Sequence, residues 1–182
     1  MRNRARILSC VLAVAGLFSN ACDSSSDKPT SPNDSGRLTV QMTDATTDLF
    51  SSANVYVKAV HVKPRGRAAV TIASDVGVIN VLELKGTVRE IVSANVAAGD
   101  HEFIQIDFDK SRSNVVLKAT GTAMPLVMSS ESVRVNDGFT VEASGHTTVT
   151  LDFQADQSFS QMGDGTWLMA AVVVQISVQV GL

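Results

Sequence analysis

Cysteine is scarce in this 182-residue chain, and its two cysteines, Cys10 and Cys22, both lie near the N-terminus. The rest of the chain can therefore form neither a disulfide framework nor a cysteine-based zinc site. Basic residues are not in excess either, with 15 Lys and Arg against 18 Asp and Glu. The composition thus lacks the positive charge with which proteins bind phosphate backbones, and we expect no nucleic acid partner.

Motifs for catalysis and nucleotide binding are also missing. The chain has no G-x-S-x-G nucleophile elbow, and its glycines are scattered rather than gathered in a phosphate-binding loop. The three histidines, His61, His101 and His146, lack the close spacing of metal ligands. The sequence therefore predicts no enzymatic activity, no cofactor and no bound metal.

The first 21 residues have the composition of a secretory signal. Arg2, Arg4 and Arg6 precede the charge-free apolar run at residues 7–18. That run is too short to cross about 30 Å of hydrocarbon as a helix, and small residues follow it. We therefore expect residues 1–21 to be a signal peptide and the protein to be exported.

A cysteine follows this segment. The pair Ala21-Cys22 is similar to the junction at which bacterial lipoproteins are cut, although Ser19 stands where leucine is usual. The alternative is cleavage by ordinary signal peptidase, which would leave Cys22 as an exposed thiol in an oxidising compartment. We predict that Cys22 is lipidated and anchors the protein to a bacterial membrane of the cell envelope, and either the inner or the outer membrane fits this prediction.

A polar segment comes next. Residues 23–35 (DSSSDKPTSPNDS) contain two prolines and no large apolar side chain, so they cannot bury enough surface to offset the entropy of ordering. We expect residues 22–35 to be a disordered tether, with a reach of about 20 Å from flexible-chain scaling. The tether would hold a folded domain, residues 36–182, close to the lipid surface.

From Gly36 onward, apolar and polar residues alternate with a period of two, which is typical of antiparallel strands that have one buried face. The clearest runs are residues 38–43, 104–109, 148–153 and 174–180. At residues 55–62 the alternation changes phase near Lys58 and Ala59, and this change predicts a β-bulge.

Turn residues separate these runs, and one segment has a helical signal. Thr87 and Glu90 have the spacing of a capping box, which predicts a short helix over residues 87–94. About eight strands without regularly alternating helices predict an all-β fold. We expect an antiparallel β-sandwich with one short helix, and a barrel is the alternative.

Several segments resemble one family. Residues 36–45 (GRLTVQMTDA) resemble the opening strand of the bacterial domain-of-unknown-function family 4382, whose hallmark is Leu-Thr-Asp-Ala-Pro. Similar features follow in the same order at residues 53–57 (ANVYV), 81–86 (VLELKG), 97–101 (AAGDH) and 151–153 (LDF). The resemblance covers nearly all of the domain. It implies a lipoprotein with an immunoglobulin-like or transthyretin-like β-sandwich, and it implies no particular activity.

Three carboxylates, Asp44, Asp107 and Asp109, are candidates for a turn or a metal site. Asp107 and Asp109 lie in an oxygen-rich run that superficially resembles a calcium loop. An EF-hand beginning at Asp107 would need glycine and glutamate where the chain has Arg112 and Lys118. A solvated hairpin end fits this run better, and Asp44 is more simply a turn former that accepts backbone N–H groups.

Two features are candidates for binding. Lys58, Lys63, Arg65 and Arg67 form a basic patch around a predicted hairpin. The patch suits acidic polymers or lipid head groups, although a solvated sheet edge accounts for the same residues. Trp167, beside a glycine-rich turn, is a candidate platform for a sugar or, more simply, an anchor in the core.

These observations predict a non-enzymatic, lipid-anchored module of the cell envelope that binds or spaces other components. Its partners would be the membrane, through lipidated Cys22, and an envelope protein or a glycan. One alternative is a carbohydrate- or small-ligand-binding domain. Another is a metal-dependent hydrolase that uses Asp44, Asp107, Asp109 and a histidine.

Overall fold

A computed structural model describes residues 34–45 and 47–181 of the chain. The predicted signal peptide, Cys22 and nearly all of the predicted tether lie outside the described residues. Within this part, the strands are β1 (Ser35–Ala45), β2 (Phe50–Pro64), β3 (Val70–Asn80), β4 (Arg89–Ala97), β5 (Gly99–Phe108), β6 (Asn114–Leu117), β7 (Ala123–Met128), β8 (Ser132–Val135), β9 (Phe139–Val141), β10 (His146–Gln154), β11 (Phe159–Gln161), β12 (Trp167–Met169) and β13 (Val173–Gly181). The helical elements are two 3₁₀ turns, Val81–Leu84 and Lys110–Arg112, and the short helix α1 (Ala155–Ser158).

The strands form two sheets, which confirms the prediction of an all-β sandwich. The smaller sheet has the order β13-β10-β1-β4, and the larger has the main order β11-β12-β7-β6-β2-β5-β8. Within the larger sheet, β3 also pairs with β2, and β9 with β5. The described strands outnumber the eight expected, because several are only three or four residues long and alternation cannot identify segments that short.

The sequence predicts antiparallel strands throughout, but two pairs of neighbouring strands are parallel. β1 runs parallel to β10, and β12 runs parallel to β7. Parallel partners need a long crossover between them, so they lie far apart in the chain. The alternation within each strand carries no information about such distant partners.

The inner faces of the two sheets share one apolar core, and the core phase predicted for three runs is confirmed. Fully buried side chains come from both sheets, namely Leu38, Val40 and Met42 of β1, Val149, Leu151 and Phe153 of β10, and Ile104, Ile106 and Phe108 of β5. Each apolar side chain of this size stabilises the fold by about 1.5–3 kcal/mol when it leaves water. The core thus holds the two sheets face to face.

The bulge predicted in β2 is confirmed. The register of β2 against β5 shifts between Val57 and Ala59, which leaves Lys58 as the extra residue. The register against β3 shifts at the same position, although there the extra residue belongs to β3. Val57 and Val60 therefore both reach the core, although an uninterrupted strand would put them on opposite faces.

The helix predicted at residues 87–94 is wrong, because β4 occupies this segment and pairs antiparallel with β1. Ile91, Val92 and Val96 are β-branched and buried, so they favour a strand packed against the core. Strand pairing and this burial outweigh a capping box, whose cap contributes only about 1 kcal/mol. The short helix of the fold is α1 instead.

Among the described helices, none combines the length and apolarity needed to cross a bilayer.

Candidate functional site

Polar side chains line the outer face of the larger sheet where β3, β2, β5 and β8 lie side by side. Thr71 pairs with His61 across the first two strands, His61 with Gln105, and Gln105 with Arg134. Paired residues project on the same face of a sheet, so these four side chains form one row across four strands. Together with Asp107 we call them the outer-face network.

A continuous chain of hydrogen bonds joins the outer-face network. His61 Nε2 lies 2.9 Å from Asp107 Oδ2, and Thr71 Oγ1 lies 2.9 Å from His61 Nδ1. Gln105 Nε2 donates to Asp107 Oδ1 over 2.9 Å, and Arg134 Nη2 donates to Gln105 Oε1 over 2.8 Å. Because a carboxylate only accepts, the proton between His61 and Asp107 is assigned to His61 Nε2.

The order Thr71, His61, Asp107 resembles the hydroxyl, base and acid of a nucleophilic enzyme. The shape of the surface differs from such a site. Thr71 is exposed, and the adjoining depression beside Lys58 and Glu131 is open, with a volume of about 280 Å³. Clefts that bury small substrates are usually enclosed and span about 300–1,000 Å³. The arrangement offers a rigid hydrogen-bonding surface rather than a pocket.

Two members of the predicted basic patch form ion pairs with carboxylates on β5. Lys63 Nζ lies 2.7 Å from Glu102 Oε2, and Arg65 Nη1 lies 3.7 Å from Asp100 Oδ2. The hydrogen bond from Lys63 lowers the pKa of Glu102, so the carboxylate of Glu102 stays charged at neutral pH. The alternation of β2 alone does not reveal these partners, because they come from a neighbouring strand.

The other two members lie apart from each other. Lys58 occupies the bulge of β2 and borders the depression together with Asp107. Arg67 is exposed beyond the end of β2. The four basic residues therefore form a surface of mixed charge rather than a uniformly positive one.

A second polar cluster lies farther along the same outer face and centres on Arg112. Its guanidinium carbon is 3.5 Å from the centre of the Tyr56 ring. Arg112 Nε donates to Asp109 Oδ2 over 2.8 Å, and Nη1 donates to Asp75 Oδ1 over 3.2 Å. The Tyr56 hydroxyl also donates to Asp75. We call Tyr56, Asp75, Asp109 and Arg112 the Arg112 cluster.

Hydrogen bonding fixes the charges of the Arg112 cluster. Hydrogen bonds from Ser111 and Arg112 lower the pKa of Asp109 to about 2. The hydrogen bond from Tyr56, followed by that from Arg112, lowers the pKa of Asp75, and the same bond raises the pKa of Tyr56. At neutral pH the cluster therefore contains two carboxylates, a guanidinium and a neutral phenol.

The three candidate carboxylates have separate surroundings. Asp107 belongs to the outer-face network, Asp109 belongs to the Arg112 cluster, and Asp44 is buried at the end of β1 in the smaller sheet. Asp44 Oδ1 accepts from the backbone N–H of Ala155 over 3.0 Å, so it contacts the start of α1. Among the described residues, no three His, Cys, Asp or Glu side chains are grouped as metal ligands.

Trp167 lies in the core. Its side chain is buried, and its ring meets that of Phe50 edge to face at 4.7 Å between centres. Phe50 also contacts Phe159 at 5.4 Å. The indole is therefore part of an aromatic cluster between strands and is not presented on the surface to a sugar.

His101 is the one fully buried histidine of the described chain. It stacks on Phe139 with ring centres 4.9 Å apart, and its Nδ1 lies 3.1 Å from the carbonyl oxygen of Gly99. Its Nε2 is buried and has no hydrogen-bond partner among the described residues. Burial lowers the pKa of His101, and the ring is neutral in the folded protein at neutral pH.

The buried ring makes the stability of the fold sensitive to acid. Because the pKa of His101 is lower in the folded than in the unfolded chain, the unfolded state binds more protons below about pH 6.5. We expect the melting temperature to fall between about pH 8 and about pH 5, and to fall less in His101→Phe. His146→Gln, at an exposed histidine, is the control. An equal fall in wild type and His101→Phe would contradict this assignment.

The Arg112 cluster can be tested through the single tyrosine of the chain. We expect Asp75→Asn to lower the pKa of Tyr56, because the variant removes the anion that stabilises the protonated phenol. Asparagine also tolerates the positive φ of 56° at this position. A spectrophotometric titration of phenolate formation measures the change, with Asp164→Asn as the matched control. An unchanged titration in Asp75→Asn would show that the hydrogen bond is absent in solution.

Four members of the outer-face network are not predicted as site residues by the sequence, namely Thr71, His61, Gln105 and Arg134. His61 and Gln105 each lie in the polar phase of a strand, which was the available signal, but their proximity depends on the pairing of β2 with β5.

Comparison with known proteins gives a match to one family model, described as "Domain of unknown function (DUF4382)", over residues 35–171. No curated protein and no solved structure matches the chain. The family match includes β1 to β12 and thus most of both sheets, and the chain belongs to the DUF4382 family.

Proposed function

We propose that this protein is a non-enzymatic, lipid-anchored module of the bacterial cell envelope that binds another envelope protein through the outer face of its larger sheet. The observation that carries this proposal is the outer-face network, which spans four strands and holds each of its polar groups in a defined orientation. A surface that is ordered before binding loses little side-chain entropy when a partner docks.

The geometry favours binding over catalysis. A hydroxyl nucleophile needs donors aimed at the developing oxyanion and a site that excludes water. Thr71 lies on β3, an edge strand, and the backbone N–H groups of β3, like those of β2 and β5, lie in the plane of the sheet and not out of the face that carries these side chains. A substrate at Thr71 would therefore stay hydrated and would lack the backbone donors that stabilise a tetrahedral intermediate.

The composition of the outer face fits a protein partner. Arg134 lies over the ring of Phe103 at 4.1 Å from its centre, and Arg112 lies over Tyr56. Arginine and tyrosine are enriched at the energetic centres of protein interfaces. The paired charges Lys63–Glu102 and Arg65–Asp100 border this region, and such a mixed border favours specific docking over general attraction to a polyanion.

Lipidation of Cys22 would place this surface near a membrane, and it can be tested directly. We expect the natively processed protein to begin at Cys22, to be heavier than its polypeptide by acyl chains and to fractionate with membranes. Cys22→Ala should be soluble and unacylated. Intact mass spectrometry and fractionation of both forms make the measurement, with Cys10→Ala as the matched control. A soluble, unmodified wild type would contradict the anchor while leaving the binding surface in place.

The alternative functions predict different responses to ligands. Because the candidate carboxylates are dispersed and Trp167 is buried, we expect Ca²⁺ and Zn²⁺ to leave the melting temperature unchanged. We also expect soluble glycans to leave the fluorescence of Trp167 unchanged. Calorimetry and fluorescence titration of the purified protein provide both measurements. A metal-dependent rise in melting temperature would favour the hydrolase, and quenching by a glycan would favour the sugar-binding domain.

A further inference from the structure

β13 is an edge strand of the smaller sheet and pairs, within the described residues, with β10 alone. The register between them shifts once, between Thr150 and Leu151, which leaves Ile176 at a bulge. After the bulge, pairing continues without interruption from Ser177 to Gly181. The other side of an edge strand presents unpaired N–H and C=O groups, so this stretch is a template for a further strand.

An apolar stripe lies on the inner face of this edge. Val178 pairs with the fully buried Val149, so both side chains project towards the other sheet. The larger sheet covers only the start of β13, however, where Val173 is buried and Gln175 Nε2 donates to the carbonyl oxygen of Gly138 over 3.2 Å. Ile176 and Val180 are each 55% exposed and Val178 is 39% exposed. We call Ile176, Val178 and Val180 the β13 stripe.

The other described sheet edges are protected against pairing. β4 carries Arg89 and Glu90 at its start, and β3 is interrupted by two register shifts and by the positive φ of Asp75. β8, β9 and β11 have only four, three and three residues. Charges, bulges and short length are the devices by which proteins block edge-to-edge association. β13 combines nine residues with no charged side chain.

We propose that β13 is the contact between two copies of this chain, which pair antiparallel about a two-fold axis and join their smaller sheets into one. An antiparallel pair of identical strands is self-complementary. When one residue of the first copy pairs with a given residue of the second copy, the two-fold axis creates the same pair with the copies exchanged. The β13 stripes of both copies then face each other across the axis and leave water. This inference is independent of the proposed partner surface, which lies on the other sheet.

The chemistry of the edge favours a second copy over a lipid surface. The apolar stripe alone would suit either occupant. Acyl chains cannot hydrogen-bond to the unpaired backbone groups of β13, and each such group left without a partner in hydrocarbon costs several kcal/mol. A second β13 satisfies the backbone and the stripe together. Its uncharged sequence, VVQISVQVG, also brings no like charges together at the axis.

Sedimentation equilibrium tests the proposal over about 1–100 μM protein. The full chain carries Cys22→Ala and is kept under reducing conditions, so that neither acyl chains nor a disulfide can join two copies. We expect a reversible dimer, and we expect Val178→Lys to weaken it at least about tenfold by placing two like charges near the axis. Val180→Lys provides an independent second variant.

Val88→Lys is the matched control, because Val88 is 57% exposed and lies outside the strands. It should dimerise as wild type does. All three lysine variants replace exposed side chains, so their melting temperatures at a concentration where all are monomeric should match that of wild type. A wild type that is monomeric throughout, or a dimer that Val178→Lys and Val180→Lys leave intact, would overturn the proposal. A monomer that binds phospholipid vesicles through Val178 would overturn it in favour of lipid.

Discussion

The extra residue in β2 is the constraint on which the outer surface of this protein depends. β2 is 15 residues long and pairs with β3, β5 and β6, so it is central to the larger sheet. Tyr56 and His61 are an odd number of positions apart and would point to opposite faces of a regular strand. The bulge at Lys58 reverses the alternation between them, and both side chains project outward.

This single shift therefore determines the placement of two polar clusters. The outer-face network depends on His61 and the Arg112 cluster depends on Tyr56, while the valines on either side of the bulge continue to fill the core. Bulges commonly redirect a side chain at a functional surface, at the cost of an interrupted ladder. In this sheet the ladder is interrupted against β3 and β5 at the same position.

Local patterns in the sequence predicted those features that depend on a single strand. The alternation of β1, β5 and β10 identified their core faces, and the phase change identified the bulge. Features that depend on a distant partner were missed. The capping box at Thr87 is a local signal that predicts a helix. The pairing of β4 with β1, which makes this segment a strand, leaves no signal in the local sequence. The same limit applies to the site, since the oxygen-rich run marks Asp107 as a candidate, whereas its contact with His61 arises only from the register of two strands.

The position of β1 has a mechanical consequence. β1 begins at Ser35, lies between β10 and β4 and is hydrogen-bonded to both along most of its length. A pull on the N-terminal side of the domain, as from an anchored tether, acts along β1 and loads both ladders in shear. Bonds loaded in shear must break together, whereas an edge strand peeled from its end releases them one at a time. The proposed anchor at Cys22 would thus attach the domain through the part of its smaller sheet that best resists force.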